Sequence, residues 1–227
     1  YRLLTHYGAA ECLGPCSGDK GMFGLLILSL YWKIGEKNDA QSIASTSALL
    51  YFISALCGYG AAAFVPSLTL DRPLFYRELA DGFYRPLVYY ASKFVEEAVL
   101  ATMTSLLFSV TIFWGCGLQG SFWVFAVCYY LTTMTGIVLA YLIAALVPTM
   151  DAANALLPTY VTCCMYFGGL FLLFDRIPGP WVWFSWTSFL RYSWGAQMLN
   201  NYQGQTIGAT LAFFDDAGQG ITVIESY

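Results

Sequence analysis

Few residues in this chain could do chemistry. The most enzyme-like stretch is Gly14-Pro-Cys-Ser-Gly-Asp-Lys20-Gly21, which approximates a phosphate-binding loop. Such a loop needs Gly before the Lys, so that backbone amides can cradle phosphate, and Ser or Thr after it for magnesium. Asp19 and Gly21 hold those places, and the aspartate would repel phosphate. The one histidine, His6, has no Asp or Glu at helical spacing. That excludes histidine-dependent acyl transfer and zinc hydrolysis, which need a positioned base or a ligand set. Cys12-x-x-x-Cys16 has no second pair, and Cys57, Cys116, Cys128, Cys163 and Cys164 lie in apolar runs, where a thiol behaves as a small hydrophobe. No catalytic residue, metal site or cofactor is expected in the chain itself.

The informative polar segment runs Asp71-Arg-Pro-Leu-Phe-Tyr-Arg-Glu-Leu-Ala-Asp-Gly-Phe-Tyr-Arg-Pro86 and on to Lys93 and Glu97. It reads as an amphipathic loop: Leu74, Phe75 and Leu79 can lie on a membrane surface while Arg77, Glu78 and Asp81 face water. Gly82 allows a turn, and Pro86 suits the first turn of a following helix. A mere connector needs no such density of paired charges and aromatics. A docking surface for a cytoplasmic partner does.

The elements around this segment are membrane helices. Hydrophobic residues make up 58% of the 227 and charged residues only 11%, against about 25% charge in a soluble domain. No charge occurs between Asp39 and Asp71, Glu97 and Asp151, Asp151 and Asp175, or Arg191 and Asp215. A crossing takes about 20 apolar residues. The gaps yield spans near 43–66, 87–113, 122–147 and 152–174, the second and third separated by Trp114-Gly-Cys-Gly-Leu-Gln-Gly120. Residues 21–34 read as the outer end of a first span whose beginning is missing or altered; a short signal peptide is the alternative.

Residues 178–201 contain Trp181, Trp183, Trp186 and Trp194 around Arg191, and suit a re-entrant or interfacial helix better than a crossing. The arginines at 72, 77 and 85 put their loop in the cytoplasm by the positive-inside rule. The 35–39 and 114–121 connections and the tail 202–227 are then outside.

The run Phe75-Tyr-Arg-Glu-Leu-Ala-Asp-Gly-Phe-Tyr-Arg-Pro-Leu-Val-Tyr-Tyr-Ala-Ser-Lys-Phe-Val-Glu-Glu97 resembles a signature of the G subfamily of ATP-binding cassette exporters, the white and pleiotropic-drug-resistance type. Gly168-Gly-Leu-Phe171, Ile177-Pro-Gly-Pro-Trp-Val-Trp183, Arg191-Tyr192, Asn200-Asn-Tyr-Gln-Gly204 and Leu30-Tyr-Trp-Lys-Ile-Gly35 are similar to further blocks of that family, in order.

The resemblance implies an all-α, polytopic transmembrane helix bundle of the ABC-2 type over 21–201, with about five of six family helices present and re-entrant helices after the fifth. Residues 1–20 are atypical, and 202–227 is an extracytoplasmic loop cut before a final helix, so the chain reads as a piece of a larger transporter. Arg77, Glu78, Gly82 and Tyr84 would contact a nucleotide-binding domain holding ATP and Mg, absent here. A second transmembrane half, identical or different, would complete the pathway.

Carried over residue by residue, the substrate cavity falls on Phe52, Ala55, Leu56, Tyr59, Pro158, Val161, Thr162 and Met165, and a plug on Leu170 and Phe171. The implied function is ATP-driven export of lipids, sterols or other hydrophobic compounds, at the plasma membrane or an internal one, with no nucleic-acid partner. A secondary transporter or channel not driven by ATP is the alternative, although the span interiors lack charge and no internal repeat is visible. An assembly protein without transport is a third reading.

Overall fold

Long charge-free runs in this chain become helices, because in hydrocarbon every backbone amide must find its partner within its own segment. The computed structural model describes residues 20–34, 40–171 and 177–202. The expectations for His6, the Cys12–Cys16 pair, residues 35–39, the end of the fifth span at 172–174 and the tail beyond Tyr202 lie outside the described residues.

Eight α-helices are described: α1 (Lys20–Leu30), α2 (Ala40–Gly60), α3 (Phe64–Ala80), α4 (Pro86–Cys116), α5 (Phe122–Leu146), α6 (Met150–Tyr166), α7 (Val182–Thr187) and α8 (Phe189–Tyr202), with no strand among the described residues. Three stretches are long and apolar enough to cross a membrane: Gln41–Pro66, Pro86–Cys116 and Phe122–Leu146. They match three of the expected spans. The all-α bundle is therefore as expected, and the chain is a membrane protein.

Two elements differ from expectation. The charged segment is not a loop: α3 carries it in helix as far as Ala80, with Pro73 inside. The fourth expected span is shorter than anticipated, since α6 stops at Tyr166 after 17 residues. Gly168 and Gly169 follow, the latter at φ 104°, a conformation that side chains disfavour.

Local signals explain the other boundaries. Pro86 opens α4 at its first turn, where its missing N–H is harmless. Gly117 closes α4 at φ 68°, donating its N–H to the Phe113 carbonyl, the left-handed cap that glycine favours. Val147 ends α5 in extended backbone, as a residue before proline must.

Helix α5 is central, packing against α2, α3, α4, α6 and α8. Its approach to α2 passes over Gly136, where a Cβ would sit 3.1 Å from the Cys57 carbonyl oxygen and 3.2 Å from Ala61 Cβ. Small residues at such crossings are how membrane helices gain contact without a hydrophobic drive. On the outside, Leu87, Val95, Met103 and Leu107 of α4 and Trp123, Leu131 and Leu142 of α5 are exposed, an apolar belt fit for lipid.

The α7–α8 pair is a re-entrant hairpin. The α8 end returns to the α4–α5 turn: Gln119 N–H donates to Asn201 Oδ1 at 2.9 Å and Ser121 N–H to Asn200 Oδ1 at 3.0 Å. Asn200 Nδ2 also donates to the Ser121 carbonyl at 3.0 Å. The start of α8 lies deep, with Phe189 beside Gly58 and Val161. Above it, Phe167 stacks on Trp181 at 5.8 Å, so the pair enters from the side to which it returns.

A buried hydroxyl cluster holds α8 in place. Ser193 Oγ lies 3.1 Å from Ser54 Oγ of α2 and 2.6 Å from Thr132 Oγ1 of α5. Trp194 Nε1 donates to the Ser47 carbonyl at 3.2 Å. Interhelical hydrogen bonds of this kind are worth about 0.6 kcal/mol each, at most about 1.7. Ser193→Ala is expected to lower thermal stability by roughly 1–2 kcal/mol without changing the fold, checked by thermal unfolding of the purified protein. An unchanged Tm would show that the cluster is not under load.

Candidate transport cavity and coupling helix

Phe52, Leu56 and Tyr59 are separated by four and three residues, so they share one stripe of α2. That stripe lines a cavity of about 470 Å³, within the range of small-molecule sites. Phe52 is 46% exposed, so the cavity opens at the side of the single chain. The other walls are Phe23 of α1, Phe108 of α4 and Tyr129 of α5, with Lys20 at the start of α1. Phe108 and Tyr129 stack with ring centroids 4.9 Å apart.

The expected α6 residues lie behind this wall. The Tyr59 hydroxyl is 2.8 Å from Thr162 Oγ1 and 3.4 Å from Met165 Sδ, so those two reach the cavity only through Tyr59. Thr162 donates in turn to the Pro158 carbonyl at 2.8 Å, and Pro158 is half-buried.

Ala55 and Val161 stand apart from the stripe. Ala55 is 1% exposed and packs with Cys164 and Leu190; one residue from Leu56, it is turned about 100° away. Val161 is fully buried among Ala61, Val65 and Leu157. Both are packed between helices and away from this cavity. Leu170 packs against the core cluster that contains Tyr51, and Phe171, exposed, meets Tyr51 edge-on at 5.9 Å. The Tyr51 hydroxyl also donates to the Met165 carbonyl.

The second assembly is the far end of α3. Glu78 accepts a hydrogen bond from the Tyr84 hydroxyl, and its carbonyl takes the Phe83 N–H at 3.2 Å. Gly82, at φ 73°, makes the reversal possible and donates to Leu79. Glu78, Gly82 and Tyr84 are thus one closed turn, while Arg77 beside them is exposed. Tyr84 stacks on Tyr89 at 5.8 Å, and Phe75 approaches Tyr89 at 4.7 Å.

Helix α3 is tied to both neighbours. Asp71 pairs with Lys93 of α4 at 3.1 Å, and Arg72 donates twice to the Val147 carbonyl at the end of α5, 3.0 Å each. A displacement of the α3 end would therefore be felt in two membrane helices.

A family model for the ABC-2 type transporter matches residues 19–202. The chain belongs to that family. This ABC-2 domain is 27% identical over 195 residues to ABC transporter G family member 18 of Arabidopsis thaliana, covering 85% of the chain and 27% of that protein. It is 31% identical over 141 residues to the ABC transporter ATP-binding protein/permease wht-1 of Caenorhabditis elegans, covering 61% and 21%. With ABC transporter G family member 5 of Dictyostelium discoideum it shares 27% over 180 residues, covering 77% and 12%. The resemblance to the G subfamily is borne out. The chain spans about a quarter of the length of the first two of these relatives.

Three features of this ABC-2 domain were not anticipated: Lys20 and Phe23 as cavity walls, the Arg72 bond to α5, and the asparagine clamp. Lys20 and Phe23 are three apart and share a helical face, which was the available signal for the first. The other two join residues 75 and about 80 positions apart, and nothing local marks them.

Proposed function

We propose that this chain is the permease part of an ATP-driven exporter of lipids, sterols or other hydrophobic or amphipathic compounds. The observation that carries the reading is the aromatic cavity beside half-exposed Phe52, open where a second half, identical or different, would close it. Phe52, Leu56 and Tyr59 bind the apolar body of the substrate; Thr162, Met165 and Pro158 support Tyr59 from α6. Ala55 and Val161 set the spacing of the helices behind them. Leu170 and Phe171 sit as a plug on the outer side.

Energy enters at the other end. Arg77, Glu78, Gly82 and Tyr84 dock a nucleotide-binding domain that carries ATP and Mg, and α3 passes its motion to α4 and α5. The arginine-rich α3 end faces the cytoplasm, and the protein works in the plasma membrane or an internal one. A relative named as both ATP-binding protein and permease supports a domain of this kind in the same polypeptide.

Glu78→Ala in the intact transporter is expected to lower substrate-stimulated ATP hydrolysis at least about tenfold, the effect of roughly 1.4 kcal/mol, while basal hydrolysis and membrane abundance persist. Stimulation equal to wild type would overturn the docking role.

A further inference from the structure

The cavity contains one group that a purely apolar substrate does not require. Lys20 Nζ lies 3.4 Å from Thr104 Oγ1 of α4 and 6.0 Å from the centre of the Tyr129 ring of α5, and the side chain lines the cavity with Phe23, Phe52 and Leu56. Thr104 is twelve residues inside the end of α4 and Tyr129 seven inside the start of α5. At 1.5 Å per residue the ammonium is therefore on the order of 10–18 Å from the α4–α5 turn, well along the apolar length of both helices.

Its partners there are weak. A hydroxyl at 3.4 Å is beyond the usual range for a strong hydrogen bond, and 6.0 Å is the limit of cation–π attraction. No carboxylate pairs with it among the described residues. Glu97 is seven residues further along the same helix as Thr104, about 10 Å away towards the α3 end. An ammonium offers three donors, and the bond to Thr104 uses one.

We infer that the cavity selects amphipathic anions, an apolar body held between the aromatic walls with one carboxylate, sulfate or phosphate group at Lys20. The inference rests on the cavity being the substrate site. A neutral ligand of the same shape would cover the ammonium without pairing it, which costs free energy. An anion would form a charge-assisted hydrogen bond in a water-poor site, the strong kind. Lys20 thus favours one class and disfavours the other.

The test uses the intact transporter in lipid nanodiscs with two fluorescent probes, dansyl-undecanoic acid and its methyl ester. The acid should bind at least about tenfold tighter than the ester, a difference of roughly 1.4 kcal/mol. Lys20→Met should erase that preference by weakening the acid and tightening the ester, and Lys20→Arg should restore it. Equal binding of acid and ester to the wild type, with both lost in Leu56→Trp, would overturn the inference and leave the cavity reading standing. Probe binding that Leu56→Trp does not disturb would overturn both. A preference for the acid that survives in Lys20→Met would place the anion elsewhere and also overturn the inference.

Discussion

A single methyl group at position 120 is expected to detach the re-entrant pair from the α4–α5 turn. A Cβ at Gly120 would sit 2.4 Å from the backbone carbonyl oxygen of Asn200 and 2.6 Å from its Nδ2. The nearest atom is backbone, so the strain is not relieved by rotating a side chain. Either the turn or the end of α8 must move, and the bonds from Gln119 and Ser121 to the two asparagines lengthen with it. Overpacking of this kind costs about 1–3 kcal/mol, with hydrogen bonds of roughly 1 kcal/mol each at risk besides. Gly120→Ala should lower Tm by several degrees and expose α8 to hydrogen exchange. Ser121→Ala is the control, because residue 121 holds the clamp through its backbone alone, and it should match wild type. Wild-type Tm and exchange in Gly120→Ala would mean that the contact is slack.

The second large effect separates two adjacent residues of α2. Leu56→Trp should abolish transport, by at least about tenfold, because the indole fills the cavity between Phe52 and Tyr59, and cavities of this size bind through their apolar walls. Leu56 is only partly buried, so the larger ring has room to turn into the open side and abundance should hold. Ala55→Trp should do the reverse. Position 55 is 1% exposed against Cys164 and Leu190, so a large ring there forces α2 from α6 and α8 and the protein fails to fold. Both are read by membrane abundance together with transport per folded molecule. Equal loss of abundance in the two variants would show that the α2 stripe is packing and not a site.

Much of this molecule is visible in its residues. The charge-free gaps locate α2, α4 and α5 within a few positions, because hydropathy over a long window is a strong physical signal. The re-entrant pair is legible for the same reason in reverse: Arg191 and the tryptophans are poor material for a crossing.

Helix α3 was hidden. Arg72, Pro73 and Arg77 interrupt the apolar run that began in α2, and a charged stretch with a proline reads as loop. Yet charges do not oppose helix formation, and the backbone continues through them to Ala80. The cavity was half legible. Spacing within α2 groups Phe52, Leu56 and Tyr59 on one stripe, because it is a property of one helix. Which face of α6 meets α2 is a property of two, so Ala55 and Val161 could not be separated from their neighbours. For Lys20 only its shared face with Phe23 was legible, since its other neighbours are fixed by how α1 leans on α4 and α5.

Two groups of aromatic residues lie at opposite ends of the bundle. The cluster where α3 meets α4 is built from Phe75, Tyr76, Tyr84, Tyr89 and Tyr90. The seven tryptophans are Trp32, Trp114, Trp123, Trp181, Trp183, Trp186 and Trp194, on α1's far end, the α4–α5 turn and the re-entrant pair. Indole emission from this chain is consequently a one-sided reporter. Rearrangement of the α4–α5 turn or of α7 and α8 would shift its wavelength and its quenching by iodide. A partner landing on α3 would be optically silent until its push had travelled the length of the membrane helices, so the delay between the two events can be timed without attaching a dye.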